Sequence, residues 1–213
     1  MIGVLGGSFD PIHFGHINPL IEVTRQFNFS EIKLIPTFCS PVGKKFHANF
    51  EHRMNMVSII CSSSTNNFSV DDIEMKRKGI SYTYDTIKTL KDQNKKDDFC
   101  LIMGLDVFLK IETWFKYENI LNEVNILVIN RPGRDIEEIK KMGSLINQKI
   151  SKNKEDFLNN KNYMVYFYNI SPIEISSSAI RNIIKEGNNP VKKIPGSIMS
   201  YIERNKLYRK EYE

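Results

Sequence analysis

The apolar run Ile2-Gly3-Val4-Leu5 passes without a break into Gly6-Gly7-Ser8-Phe9-Asp10-Pro11-Ile12-His13-Phe14-Gly15-His16. A short strand that empties into a Gly-rich turn and then a helix start points to a layered α/β fold. It also restricts the chemistry. The turn offers a nest of backbone N–H groups and the helix its N-terminus, and both favour phosphate. His13 and His16 lie three residues apart, so their imidazoles share one side of the first helical turn.

Apolar, β-branched runs recur along the chain with amphipathic segments between them. Strands are expected at Ile2–Leu5, Ile32–Ile35, Phe68–Val70, Phe99–Met103, Asn125–Asn130 and around Met164–Phe167. Helices are expected at Ile17–Phe27, about Glu51–Ser62, Tyr82–Leu90 and Ala179–Lys185. This alternation predicts an α/β fold, a parallel sheet with helices on both faces. At 213 residues the chain reads as one domain, 1–213, with no internal repeat or interdomain linker. The stretch from Asp135 to Asn162 is polar, Lys/Asn-rich and weakly patterned, the expected place for a variable or mobile segment.

In such sheets ligands bind beyond the carboxyl ends of the strands, where strand order reverses. Three segments sit there by sequence: Gly6-Gly7-Ser8, Gly104-Leu105-Asp106 and Ser176-Ser177-Ser178. The last precedes the amphipathic Ala179–Lys185, with Gly187 as a helix end. A Ser N-cap exposes helix N–H groups, and Arg181 lies a turn later on the same face. Serines, amides and a guanidinium form a clamp for triphosphate oxygens.

Bulk properties exclude more than they assign. No apolar run approaches the roughly 20 residues of a membrane helix, and the N-terminus reads as neither a secretory nor a transit segment. Cys39, Cys61 and Cys100 are scattered and odd in number, which fits a reducing, cytoplasmic setting. Cys39, His47 and His52 lie close in sequence but lack metal-ligand spacing, so no protein metal site is expected. The net charge of +5 is spread over 30 basic and 25 acidic residues, giving no concentrated face for nucleic acid. A mild positive field of this kind suits a polyphosphate substrate.

The N-terminal segment resembles the nucleotidylyltransferase pattern G-[ST]-F-D-P-x-H-x-G-H, and Ile175-Ser176-Ser177-Ser178-Ala179-Ile180-Arg181 resembles that family's I-S-[ST]-[ST]-x-I-R. Ser81-Tyr82-Thr83, Trp114, Gly104-Leu105-Asp106 and Arg131-Pro132-Gly133 further resemble the nicotinate mononucleotide adenylyltransferases, over nearly the whole chain from Ile2 to about Tyr208. The resemblance implies a Rossmann-like doubly wound sheet with a small C-terminal helical portion. It implies transfer of AMP from ATP to nicotinate mononucleotide, with Mg²⁺ held mainly by substrate phosphates. His13, His16 and Arg181 would be catalytic, together with Lys44 or Lys45. Gly6, Gly7, Ser8, Phe9, Gly104, Asp106, Arg131, Ser176, Ser177 and Ser178 would bind ATP. Ser8, Ser81, Tyr82, Thr83 and Trp114 would bind the pyridine nucleotide, Trp114 by stacking on its ring. One departure stands out: the family's P-x-H-K appears as Ser40-Pro41-Val42-Gly43-Lys44-Lys45, with no His before a doubled Lys. Family members are commonly dimers, which leaves a homo-oligomer open, although no interface stripe is visible in the sequence. Other acceptors are nicotinamide mononucleotide, phosphopantetheine or a cytidylyltransferase substrate; Ser81–Thr83 and Trp114 favour a pyridine.

Overall fold

The computed structural model describes residues 1–130, 136–160, 162–171 and 174–209. Its centre is one sheet of six parallel strands: β1 (Ile2–Gly7), β2 (Glu31–Pro36), β3 (Phe68–Val70), β4 (Phe99–Gly104), β5 (Asn125–Asn130) and β6 (Val165–Asn169). The spatial order is β3-β2-β1-β4-β5-β6. The chain therefore winds outward from β1 to β3, returns to lay β4 beside β1, and winds outward again. The order reverses between β1 and β4, so a crevice opens at their carboxyl ends.

Along the strands, successive side chains alternate between two hydrophobic cores, as the period of two requires. Ile32, Leu34, Cys100, Ile102 and Leu127 face one core. Val4, Ile35, Leu101, Met103, Ile126 and Val128 face the other. The first core is covered by α1 (Phe14–Phe27), α2 (Phe50–Ser63), and, later in the chain, α10 (Ser177–Lys185) and α11 (Gly196–Arg204). The second is covered by α3 (Ile73–Arg77), α4 (Thr83–Gln93), α5 (Leu105–Phe108), a 3₁₀ turn at Ile111–Thr113, and α6 (Tyr117–Glu123).

Strand positions agree with the sequence reading to within a residue or two, and α1 begins three residues before the expected Ile17. The short α3, α5 and α6 were not legible, because each spans too few turns to display a period. The polar stretch expected to be mobile carries α7 (Ile136–Lys140), α8 (Ser144–Lys149) and α9 (Lys154–Asn159) in its described part. Its buried Ile139, Met142, Ile146 and Phe157 stand among Lys and Asn in or beside helices of five or six residues, too short to display a period, yet they anchor this segment on the cores.

Candidate active site

The turn between β1 and α1 is held from several directions at once. Phe9 adopts φ +45 and buries its ring completely, so it contributes backbone rather than side chain to any ligand. Asp10 is also fully buried, and its carboxylate accepts from the N–H groups of His47 (2.8 Å) and Ala48 (3.0 Å) and from the hydroxyl of Tyr208 (2.9 Å). Arg53, 1% exposed, donates to the carbonyls of Ser8 (2.9 Å) and Ala48 (3.3 Å), with its guanidinium 3.9 Å from the Phe46 ring centre. Arg181 donates to the Asp10 carbonyl at 2.6 Å and to Ser178 Oγ at 3.2 Å. Ser177 donates to the Pro11 carbonyl at 3.0 Å. These bonds fasten the start of α10 to the turn, across 166 residues in the case of Ser177.

On this support, His13 is the N-cap of α1 and His16 lies in its first turn. Their rings stack with centres 3.8 Å apart. The backbone N–H of His13 donates to His16 Nδ1 at 3.3 Å, which fixes the proton of a neutral His16 on Nε2. Burial, reinforced by the adjacent His16, pulls the His13 pKa down to about 2. Burial, reinforced by the Lys44 charge, pulls that of His16 down to about 4. Both imidazoles are therefore neutral at pH 7. Gly15 makes the arrangement feasible: a Cβ there would lie 2.9 Å from His13 Cε1 and Nδ1 and 3.1 Å from the Ile175 carbonyl.

Two cavities meet at this edge of the sheet. The first, about 390 Å³, is a cleft lined by His13, His16, Lys44, Gly104, Asp106 and Ser176–Ser178. The side chain of Ser176 caps α10, accepting from the Ala179 N–H at 3.2 Å. Lys44 reaches Ser8 Oγ at 3.4 Å. The second cavity, about 610 Å³, is lined by Gly6, Gly7, Ser81, Tyr82, Thr83, Trp114 and Phe115 among others. Val107 is a wall of both. Phe115 packs on Tyr82 with ring centres 4.6 Å apart. The first-turn N–H groups of α4 begin at Thr83, on the wall of this cavity.

Most of the residues expected at the site converge here, but several differ in detail. Lys44 lies in the cleft, whereas Lys45 is exposed and lines neither cavity. Gly6 and Gly7 wall the aromatic cavity rather than the histidine cleft. Arg181 lines neither cavity and stands at the turn that supports the histidines. Ser81 Oγ is occupied by the N–H groups of Phe38 (3.1 Å) and Cys39 (3.0 Å), so it shapes the loop after β2 as well as the cavity. Arg131 lies outside the described residues. Sequence reasoning missed the supporting charges Asp10, Arg53 and Glu74. Asp10 is inside the N-terminal motif, and Arg53 interrupts the apolar face of α2, so both left a trace. Glu74, 6% exposed, accepts from Thr86 Oγ1 at 2.9 Å and from the Phe38 N–H at 3.2 Å; its short helix gave no signal.

Among the described residues no group of three or more His, Cys, Asp or Glu could hold a metal ion. No helix among them is long and apolar enough to cross a membrane.

The family model described as Cytidylyltransferase-like matches residues 4–183. The chain is 33% identical over 208 residues to a probable nicotinate-nucleotide adenylyltransferase of Psychromonas ingrahamii, covering 98% of this chain and 97% of that one. A protein of the same description from Shewanella woodyi is 34% identical over 209 residues, covering 98% and 99%. Among solved structures, the Plasmodium falciparum nicotinic acid mononucleotide adenylyltransferase complexed with NaAD superposes with a TM-score of 0.76 at 26% identity, over 97% of this chain and 96% of that one.

Proposed function

The chain belongs to the cytidylyltransferase-like family and, within it, to the nicotinate-nucleotide adenylyltransferases, and we propose from there how its two cavities divide the reaction. The enzyme transfers the AMP moiety of ATP to nicotinate mononucleotide, giving nicotinate adenine dinucleotide and pyrophosphate, a step of NAD biosynthesis. ATP occupies the histidine cleft, with its phosphates over the start of α1 and beside the Ser176–Ser178 cap. The pyridine of the acceptor occupies the aromatic cavity against Trp114, with its carboxylate toward the N-terminus of α4, whose dipole favours an anion. The observation that carries this reading is the shared wall at Val107, which sets the cleft of His13, His16 and Lys44 beside an aromatic cavity.

The nucleophile is a phosphate monoester oxygen, largely dianionic at pH 7 because its second pKa is about 6. No general base is needed. Catalysis rests on in-line placement and on donors aimed at the charge that builds at the α-phosphate. His16 donates from Nε2, since Nδ1 is already an acceptor. His13 donates beside it, and Lys44 meets the outer phosphates. Arg181 acts on the turn through the Asp10 carbonyl and on the Ser178 hydroxyl. The donors of the cleft, imidazole, ammonium, hydroxyl and amide, suit phosphate oxygens rather than a protein-bound cation. Mg²⁺ fits this set as an ion held by substrate phosphates and water, where it supplies neutralisation of the pyrophosphate leaving group. The three cysteines are free thiols, in keeping with a reducing cytoplasm.

The test is a stoichiometric one. With Mg²⁺, ATP and nicotinate mononucleotide, pyrophosphate and nicotinate adenine dinucleotide should form one for one. Pyrophosphate released without the dinucleotide would place water, not the acceptor, at the α-phosphate and refute the division of cavities.

A further inference from the structure

We propose that Tyr208 is a positioning residue for the phosphate cleft, acting through Asp10 on the loop that carries Lys44. The inference rests on the reading of Lys44 as a phosphate ligand. A fully buried carboxylate must have its oxygens hydrogen-bonded. Asp10 Oδ2 accepts from the His47 N–H, and Oδ1 accepts from both the Ala48 N–H and the Tyr208 hydroxyl. Two of these donors belong to the loop that holds Lys44; the third arrives from 198 residues away.

Lys44 stands in an exposed stretch, 41–45, between two tied ends, and its ammonium reaches Ser8 Oγ. Before it, the N–H groups of Phe38 and Cys39 are fixed on Ser81 Oγ. After it, those of His47 and Ala48 are fixed on Asp10. The same Asp10 belongs to the turn that leads into His13. Asp10, alongside Arg53 on the Ser8 and Ala48 carbonyls, thus ties the loop of Lys44 to the turn of the histidines, and Tyr208 completes the coordination of Asp10.

The route by which Tyr208 arrives is itself closely specified. Helix α11 docks on α2 through the Tyr201 hydroxyl, 3.0 Å from both His52 Nδ1 and Asn55 Nδ2. The helix ends in a reversal, Leu207 N–H donating to the Ile202 carbonyl at 3.0 Å. Lys206 and Tyr208 both adopt left-handed backbone, φ +53 and +62. Non-glycine residues occupy that region only where their surroundings hold them. Burial, and then the Asp10 charge, push the phenol pKa upward, so Tyr208 remains a donor. It lines neither catalytic cavity. The influence of its hydroxyl on the reaction therefore passes through Asp10, the group it bonds.

The experiment is a double-mutant cycle on the full chain, with Tyr208→Phe, Lys44→Ala and the pair, each checked for an unchanged circular dichroism spectrum. Phenylalanine keeps the ring and removes one donor. Tyr208→Phe should lower kcat about tenfold, with KM for nicotinate mononucleotide within about twofold of the parent. In the Lys44→Ala background the same change should cost less than about twofold, because the group it positions is gone. An unchanged kcat in Tyr208→Phe, or the full loss persisting without Lys44, would overturn the proposal while leaving the role of Lys44 intact. An unchanged kcat in Lys44→Ala would instead remove that role, and the proposal with it.

Discussion

At His16, one hydrogen bond decides what the side chain can do. The His13 N–H occupies Nδ1, so the remaining ring nitrogen is a donor facing the cleft. Loss of one preorganised donor typically costs about 10²–10³ in rate. His16→Ala should therefore lower kcat by about that factor and change the KM values far less; steady-state kinetics with both substrates check this. A second expectation follows from the depressed pKa values. Unfolded histidine titrates near pH 6.5, whereas folded His16 and His13 bind a proton only at about 4 and about 2. As pH falls below 6.5 the unfolded chain takes up protons that the folded one refuses, so stability declines toward pH 4. The denaturation midpoint should drop between pH 7 and 5, and His16→Gln should flatten that drop. Parallel slopes for parent and variant would show that His16 titrates normally.

The elements around the site are coupled where side chains or backbones approach closely. Gly15→Ala places a methyl against the His13 ring and the Ile175 carbonyl, so one of them must move. A misplacement of about 1 Å at a catalytic group can cost roughly 10²-fold. Gly15→Ala is expected to lose about that much in kcat while α1 stays folded, as read by circular dichroism. Ser176→Ala should cost about 1 kcal/mol of stability through its lost cap. Thermal unfolding measures this directly. At this scale the sequence was a good guide for α1, α2, α4 and α10, whose apolar spacing and caps were long enough to read. It was silent on α3, yet α3 supplies Glu74, which with Ser81 holds the Phe38–Cys39 end of the Lys44 loop. A five-residue helix has no period to detect.

Across the whole molecule, the six-stranded parallel order follows from strands that alternate with helices, and the site follows from where that order reverses. His13, His16 and Ser176–Ser178 were legible because each is tied to a strand end or a helix start. The choice of Lys44 over Lys45 was not, since it depends on how the loop from Cys39 to Ala48 is pinned at residues far apart in sequence. Nor was the burial of Asp10 and Arg53, whose partners come from Ser8, Ala48 and Tyr208. The proposed placement of the pyridine carboxylate at the start of α4 entails discrimination between that carboxylate and its amide. Sites built around a polar group reject the mismatched analogue strongly, because buried partners are left unpaired. Pyrophosphate release should be followed with ATP, Mg²⁺ and either nicotinate or nicotinamide mononucleotide, side by side. A kcat/KM ratio of about 10² or more in favour of the acid, roughly 2.7 kcal/mol, is the predicted result. Equal values for the two acceptors would contradict the carboxylate subsite at α4, and no release with either would contradict the assignment of the aromatic cavity.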